Sequence, residues 1–302
     1  MRVAAIDCGT NSIRLLIAEP GATGLLDVVR EMRIVRLGEG VDRTGRLAPA
    51  ALDRTRAALT DYAAQIRAHD AERVRMVATS ATRDAANRAD FVAMVHAELG
   101  VEPEVITGHE EAALTYAGAT SVFDRVRGGL LVADIGGGST ELVRGNGDHL
   151  RAHSMDVGCV RMTERHLRDD PPTIEQIDAT VADLHAAIKL ARADVPLDPD
   201  VTFVGVAGTV TTVAAIALGL DSYQAEAIHG STITAGQVAD VTEQLLHMTH
   251  AERAALPVMH PGRVDVIGGG ALVLRTLVEE SGVDAVIASE HDILDGIALG
   301  LI

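Results

Sequence analysis

Val3-Ala-Ala-Ile-Asp-Cys-Gly-Thr-Asn-Ser-Ile-Arg-Leu-Leu-Ile17 and Leu130-Leu-Val-Ala-Asp-Ile-Gly-Gly-Gly-Ser-Thr-Glu-Leu-Val143 are two versions of one pattern. Each has an apolar strand ending in Asp, a Gly-containing turn with Ser, and a second apolar strand. Asp7 matches Asp134, Gly9 matches Gly136, and Ser12 matches Ser139. A supersecondary unit used twice predicts two related domains. In each, a buried strand delivers Asp to its end and the following turn exposes consecutive backbone N–H groups. Gly permits the dihedrals this requires and lets a ligand approach the backbone. Such turns form anion-binding concavities, so Gly9, Thr10, Asn11 and Ser12 are candidate anion-binding residues, as are Gly136, Gly137, Gly138 and Ser139.

Outward from these hairpins, strands and helices alternate. Strands are predicted over 25–36, 73–79, 104–106, 201–206 and 284–289. Helices are predicted over 49–69, 80–99 (one or two), 109–119, 173–193, 235–249, 263–281 and 292–301, with another after Ala207. Pro49 opens the first helix, and Thr173 with Gln176 gives a capping signal for another. Mixed elements in two halves indicate an α/β fold. The boundary is expected near 120–129, where Arg127-Gly128-Gly129 reads as a loop. Gly268-Gly269-Gly270 interrupts a stretch otherwise readable as helix, where Gly is costly. It marks either close approach by a ligand or helix, or a late helix start.

The 302 residues suit two domains. With aromatics at 2%, aliphatic side chains must fill the cores. A net charge of −17 argues against nucleic acid and anionic membranes as partners. A local cluster of Arg, backbone amides and Mg²⁺ can still receive a polyanion. Cys8 and Cys159 imply no disulfide framework. The N-terminus does not read as a signal peptide, and no apolar stretch approaches the length of a membrane span. A cytoplasmic location is expected.

Several side chains carry candidate chemistry. Asp7 and Asp134, at strand ends, suit Mg²⁺ directly or through water, oxygen being that ion's preferred ligand. Glu141 opens the strand after the second turn. Glu110 and Glu111 fall in a first helical turn, where acidic residues also favour the helix dipole. Arg83, after a buried strand, suits phosphate oxygens. Gly208 and Thr209 open a helix whose free N–H groups offer an anion site, without the Lys-Ser/Thr ending of a Walker loop. Arg161 and Arg263 are candidates to guide an incoming polyanion. His247 and His250, placed on one predicted helix, lack carboxylate company for a metal site. His291-Asp292 is a lone dipeptide and not an HD-type metal centre.

Taken together, Asp7-Cys-Gly-Thr-Asn-Ser-Ile-Arg14, Arg36-Leu-Gly-Glu-Gly40, Ala78-Thr-Ser-Ala-Thr-Arg-Asp-Ala-Ala-Asn87 and Gly108-His-Glu-Glu-Ala112 resemble the exopolyphosphatase/guanosine pentaphosphate phosphatase family. Asp134-Ile-Gly-Gly-Gly-Ser-Thr-Glu141, Gly158-Cys-Val-Arg-Met-Thr-Glu164, Ala207-Gly-Thr-Val-Thr-Thr212 and Ser289-Glu-His-Asp-Ile-Leu-Asp-Gly296 extend the match to the C-terminus. The resemblance implies two ribonuclease-H-like domains of the actin-like ATPase superfamily with an active-site cleft between them. One would span 1–120, joined by the helix at 291–302, and the other 121–290. It also implies hydrolysis of the terminal phosphate of inorganic polyphosphate, with Glu111 as general base, Glu141 as a second catalytic carboxylate, and Mg²⁺ (or Mn²⁺) at Asp7 and Asp134. Glu110 is supporting. Guanosine penta- or tetraphosphate is the alternative ligand, as substrate or as the signal of an alarmone sensor. A kinase of the same superfamily is disfavoured by the Glu110-Glu111 pair. The expectation includes a homodimer. The extra C-terminal helical region of longer relatives is missing, so short polyphosphates should be preferred.

Overall fold

β1 (Val3–Cys8) is buried at every position, as its apolar run requires for a central strand covered on both faces. The computed structural model describes residues 1–22, 24–121, 129–146 and 149–302. Around β1 stand β2 (Ser12–Gly21), β3 (Gly24–Ile34), α1 (Val41–Thr44), α2 (Pro49–Ala68), β4 (Arg73–Ala78), α3 (Ser80–Asp84), α4 (Arg88–Leu99), β5 (Glu104–Val105) and α5 (Gly108–Thr120). The sheet order is β3-β2-β1-β4-β5, with β1, β4 and β5 parallel and β1, β2 and β3 antiparallel.

A second sheet repeats the arrangement. Its elements are β6 (Leu130–Ile135), β7 (Thr140–Asn146), β8 (His149–Met155), α6 (Cys159–Arg165), α7 (Ile174–Ala191), β9 (Thr202–Val206), α8 (Ala207–Ala217), α9 (Ala225–Ile228), β10 (Thr232–Thr234), α10 (Ala235–His247), α11 (His250–Ala254), α12 (Ile267–Ser281) and β11 (Ala285–Ala288). The order β8-β7-β6-β9-β11 matches the first sheet strand for strand, and β10 is added antiparallel at the edge. The internal repeat read in the sequence is therefore a repeat of topology, and each sheet is ribonuclease-H-like.

Contacts divide the chain into two compact units, Met1–Val122 with Asp292–Ile302, and Phe123–His291. The last helix, α13 (Ile293–Leu299), belongs to the first unit. The loop expected at Arg127-Gly128 lies outside the described residues.

Side-chain alternation assigns the faces of the first sheet. Ala4, Ile6, Cys8, Ile13, Leu15 and Ile17 share a core with Leu59, Tyr62 and Phe91. Val3, Ala5, Leu16 and Ala18 pack with Ile293, Leu294 and Ile297 of α13. With a period of two, Asp7 and Arg14 belong to the α13 face.

Two glycines let α13 lie against α5. A Cβ on Gly118 would stand 1.8 Å from the Asp292 carbonyl oxygen, and one on Gly296 would stand 2.0 Å from that of Leu114. The triglycine likewise resolves toward close approach. α12 includes Gly268–Gly270, a Cβ on Gly269 would meet Thr163 Oγ1 at 2.6 Å, and one on Gly270 would meet Thr209 Oγ1 at 2.4 Å.

Several boundaries depart from the sequence reading. The helix expected from 263 starts at Ile267, because Pro261–Arg263 forms a 3₁₀ turn. His247 ends α10 and His250 begins α11, so they do not share a helix. The 80–99 stretch forms two helices, as that reading allowed, and Arg83 falls in the last turn of the first, which is five residues long. α1, β8, α6, α9, β10 and α11 have no counterpart among the elements predicted. β8 reads His-Leu-Arg-Ala-His-Ser-Met and is only partly buried; its apolar alternation, Leu150 and Ala152, stops at Ser154 and is too short to mark a strand.

Gly118→Ala should lower stability in urea unfolding by about 3 kcal/mol, since only backbone movement makes room for the methyl group. Gly236→Ala, where the added carbon would have only Thr234 Oγ1 at 3.8 Å, should instead leave stability unchanged or raise it by up to about 1 kcal/mol.

Candidate active site

The two Gly turns close in the same way. Gly9 N–H donates to Ser12 O at 2.9 Å, and Gly136 N–H donates to Ser139 O at 3.0 Å. In each unit a separate segment then engages the turn's carbonyls. In the first, Val35 and Arg36 N–H both donate to Asn11 O at 3.0 and 2.8 Å, and Gly38 N–H donates to Thr10 O at 2.8 Å. Gly is needed at 38, because a Cβ there would stand 2.3 Å from Thr10 Cγ2. Arg36 adopts a left-handed φ of 48°, a conformation costing about 1–3 kcal/mol. Arg54 helps to hold this segment through Nε to Val35 O at 2.8 Å.

In the second unit the bracing element is α6. Cys159 N–H reaches Gly136 O at 2.9 Å, Val160 and Arg161 N–H reach Gly137 O at 2.9 and 3.1 Å, and Arg161 Nε reaches Gly138 O at 2.6 Å. A Cβ on Gly158 would collide with Gly137 O at 2.6 Å. Carbonyls drawn to one side leave a backbone whose remaining polarity is amide, which suits an anion. Thr10 Oγ1 also shares a hydrogen bond of 2.8 Å with Ser80 Oγ, and Thr140 Oγ1 donates to Val157 O at 2.7 Å.

The cross-strand partners of the two aspartates differ. Asp7 pairs in register with Arg14, whereas Asp134 pairs with Glu141. Arg14 Nε and Nη2 donate to Asp7 Oδ2 at 3.0 and 2.7 Å. Asp7 Oδ1 is buried without a hydrogen-bond partner. Burial pushes the Asp7 carboxyl above its ordinary range, and Arg14 opposes that rise. Asp134 and Glu141 are both buried, and Glu141 Oε1 accepts from Ser154 Oγ at 2.7 Å. Like charges directly opposite each other on a sheet are unfavourable, so this pair suits a position that receives positive charge.

Glu111 lies in the first turn of α5 and is buried. Its neighbour Glu110 is the cap partner: Glu110 Oε2 accepts from Thr107 N–H at 2.8 Å, and Glu110 N–H donates to Thr107 Oγ1 at 3.2 Å. Glu110 is thus engaged in a capping box with Thr107. Arg83 Nη1 donates to Glu111 Oε2 at 3.2 Å and to Ile106 O at 3.0 Å. Arg83 thus orients a buried carboxylate within the first unit.

Helix α8 begins with strain of its own, since Ala207 has a left-handed φ of 68°. The Arg263 guanidinium lies over Gly208, where a Cβ would be 2.2 Å from its Cζ, and Nη1 donates to Thr212 Oγ1 at 3.2 Å. A cation beside a helix N-terminus is unfavourable for the dipole alone; together they favour an anion. Tyr223 bonds Thr211 Oγ1 at 2.8 Å and Glu290 Oε1 at 2.5 Å.

A family model matches residues 16–302, that of the Ppx/GppA phosphatase family. The chain belongs to that family. It is 52% identical to Exopolyphosphatase 2 of Mycobacterium tuberculosis, over 99% of this chain and 98% of that protein. A Vibrio cholerae guanosine-5'-triphosphate,3'-diphosphate pyrophosphatase is 30% identical over 99% of this chain and 59% of its own length. Among solved structures, that of an exopolyphosphatase-like protein superposes with a TM-score of 0.96 at 45% identity, covering 99% of this chain and 97% of its own. The Aquifex aeolicus Ppx/GppA protein superposes at 0.83 with 32% identity, covering 100% and 97%. The fold is accordingly the two-domain actin-like one.

Within this Ppx/GppA chain, the first unit holds Asp7, Gly9, Thr10, Asn11, Ser12, Arg83 and Glu111. The second holds Asp134, Gly136–Ser139, Glu141, Gly208 and Thr209. α6 links two of the second unit's loops: Cys159 binds the Gly136 carbonyl and packs beside Gly270, which itself abuts Thr209. Sequence reasoning gave no role to Gly38, Gly158, Arg14 or Asp292. Strand parity was the available signal for Arg14, which must share the face of Asp7.

Among the described residues no group of three or more His, Cys, Asp or Glu is clustered to hold a metal ion. Mg²⁺ typically takes one or two carboxylates plus waters and substrate phosphates, and the unpartnered Asp7 Oδ1 fits that use.

Both cysteines are buried. Burial pushes the Cys159 thiol up to about 11, against the opposing effect of Arg263, and burial followed by Asp7 raises Cys8 well above its ordinary value. Raised values leave neutral thiols at pH 8, and the thiolate is the nucleophile. Iodoacetamide should therefore label neither cysteine in the native protein at pH 8 and both after denaturation, read by mass spectrometry. Fast native labelling of Cys159 would contradict this account of its surroundings.

Proposed function

We propose that this chain is an exopolyphosphatase that hydrolyses the terminal phosphoanhydride bond of inorganic polyphosphate. The observation that carries the reading is the full-length likeness to Exopolyphosphatase 2, joined to two braced amide turns, each beside a buried carboxylate. Water attacks the terminal phosphorus, the bridging P–O bond breaks, and orthophosphate leaves with a chain shortened by one. Glu111 accepts the proton of the attacking water, a role needing a carboxylate at hydrogen-bond reach, and Arg83 holds its orientation. The turns at Gly9–Ser12 and Gly136–Ser139 and the Gly208–Thr209 helix start are the proposed phosphate-binding backbone. Mg²⁺ (or Mn²⁺), with Asp7 and Asp134 as the proposed carboxylates, would supply neutralisation of phosphate charge. Glu141, opposite Asp134, positions water or supports the ion.

The second reading is 5'-phosphate hydrolysis of guanosine pentaphosphate, favoured by the Vibrio cholerae relative. The bond cleaved is the same kind, and only the leaving group differs. No described helix is long and apolar enough to cross a membrane, and we extend the proposal to a cytoplasmic enzyme acting as a homodimer.

Phosphate release from short polyphosphate, long polyphosphate, guanosine pentaphosphate and ATP, with and without Mg²⁺, tests the choice. Short polyphosphate should be cleaved fastest, because a surface with net charge −17 repels a long polyanion. A markedly higher kcat/KM on guanosine pentaphosphate would transfer the assignment to the second reading. Glu111→Gln should cut turnover by about 10²–10⁴-fold while substrate still binds. Near wild-type turnover in that variant would remove Glu111 as the base.

A further inference from the structure

Arg14 has a task in the first unit beyond neutralising a neighbour. While Nε and Nη2 grip Asp7 Oδ2, Nη1 donates to Asp292 Oδ2. Both carboxylates are almost wholly buried, with side chains 6% and 4% exposed. Asp292 is also the cap of α13: its Oδ1 accepts from Leu294 N–H at 3.0 Å, and its own N–H donates to Asp295 Oδ2 at 3.0 Å. Asp295 is held in turn by Arg30 through Nη2 at 2.5 Å and Nη1 at 3.3 Å. The start of α13 is therefore fixed by charge from two strands of the sheet.

The other side of α13 meets α5 with no room for adjustment. Gly118 of α5 abuts the Asp292 carbonyl, and Gly296 of α13 abuts the Leu114 carbonyl, both nearer than any Cβ would allow. Where backbone rests on backbone, a shift of one helix is passed to the other, since packed interiors do not absorb it. Glu111 is in the first turn of that same α5.

We propose that Arg14 is a positioning residue, joining Asp7 at the end of β1 to the cap of α13 and thereby setting the seat of the helix that presents Glu111. The guanidinium suits this because its rigid fork spends two N–H groups on one carboxylate and a third on another, which a lysine ammonium does not match. Holding Oδ2 also fixes the Asp7 rotamer, with Oδ1 left as the unpartnered oxygen. Among the described residues the side-chain hydrogen bonds of Asp292 run to Arg14, Leu294 and Asp295, none of them a proposed phosphate-binding residue, yet through Arg14 it becomes part of the catalytic geometry. The inference rests on the hydrolase reading for its kinetic arm only.

The test compares wild type with Arg14→Gln, Arg14→Lys, Asp292→Asn and the Arg14→Gln/Asp292→Asn double variant. Phosphate release from a short polyphosphate with Mg²⁺ is measured beside hydrogen exchange of residues 293–299 and 108–112. Arg14→Gln should lower kcat by about 10²-fold, the scale of a small misplacement, with KM changed by no more than about threefold. Arg14→Lys should recover part of the loss. Asp292→Asn should lower kcat by about tenfold, and the double variant should be no slower than Arg14→Gln alone, because linked groups are non-additive. Exchange at the start of both helices should quicken by at least about tenfold in Asp292→Asn, by local opening. Unchanged kcat in folded Asp292→Asn, or fully multiplicative losses, would overturn the proposal. If Arg14→Gln does not fold, Asp292→Asn and Arg14→Lys decide the matter alone. If wild type cleaves no phosphoanhydride offered, the hydrolase reading falls. The exchange arm then still decides the α13–α5 link, and protection unchanged in 108–112 would overturn it.

Discussion

A peptide unit has a positive and a negative end, and a backbone that receives anions must send its carbonyls elsewhere. The turns of both units are arranged as that requirement would ask. The Gly9–Ser12 turn hands two carbonyls to the 35–38 segment, and the Gly136–Ser139 turn hands three to α6. The solutions differ in detail, an irregular segment in one case and a short helix in the other, although the hairpins they brace share one topology. The strain at Arg36 and the bare glycines at 38 and 158 follow from the same demand, since the bracing backbone must come within hydrogen-bond range of the turn.

The same pairing of likeness and divergence marks the aspartates. Both end a central strand and both are buried, but one faces an arginine and the other a glutamate across the hairpin. A duplicated scaffold has kept its geometry while the charge beside each carboxylate has gone opposite ways. The two turns therefore do not present equivalent fields, whatever their shared ancestry of form.

Much of this was legible in the sequence because it rests on local pattern. The Asp-to-Ser hairpins announce themselves by apolar runs broken at fixed offsets, and Thr173 and Pro49 mark helix starts as capping chemistry requires. Glu110 and Glu111 were placed in a first turn, where the capping box occupies Glu110 and Glu111 pairs with Arg83 instead. What sequence could not supply was long-range. Asp292 looked like half of an idle dipeptide because its partner lies 278 residues away. β8 was hidden because a partly buried edge strand carries only a short alternation, two apolar residues among polar ones. The triglycine in α12 left two readings open until the neighbours of Gly269 and Gly270 were known.

The first unit is discontinuous in the chain, and this shapes how the molecule is born. Ile293, Leu294, Ile297 and Ala298 complete a core with Val3, Ala5 and Leu16, yet the ribosome makes them after the whole of Phe123–His291. The second unit has every strand of its own sheet once β11 is made, and α13 comes after it in the chain. The first must wait with one face of its sheet bare, although its strands were made earliest. N-terminal order of synthesis and order of completion are thus reversed. Until α13 is made, apolar surface on β1 and β2 stays bare, a surface of the kind a chaperone recognises.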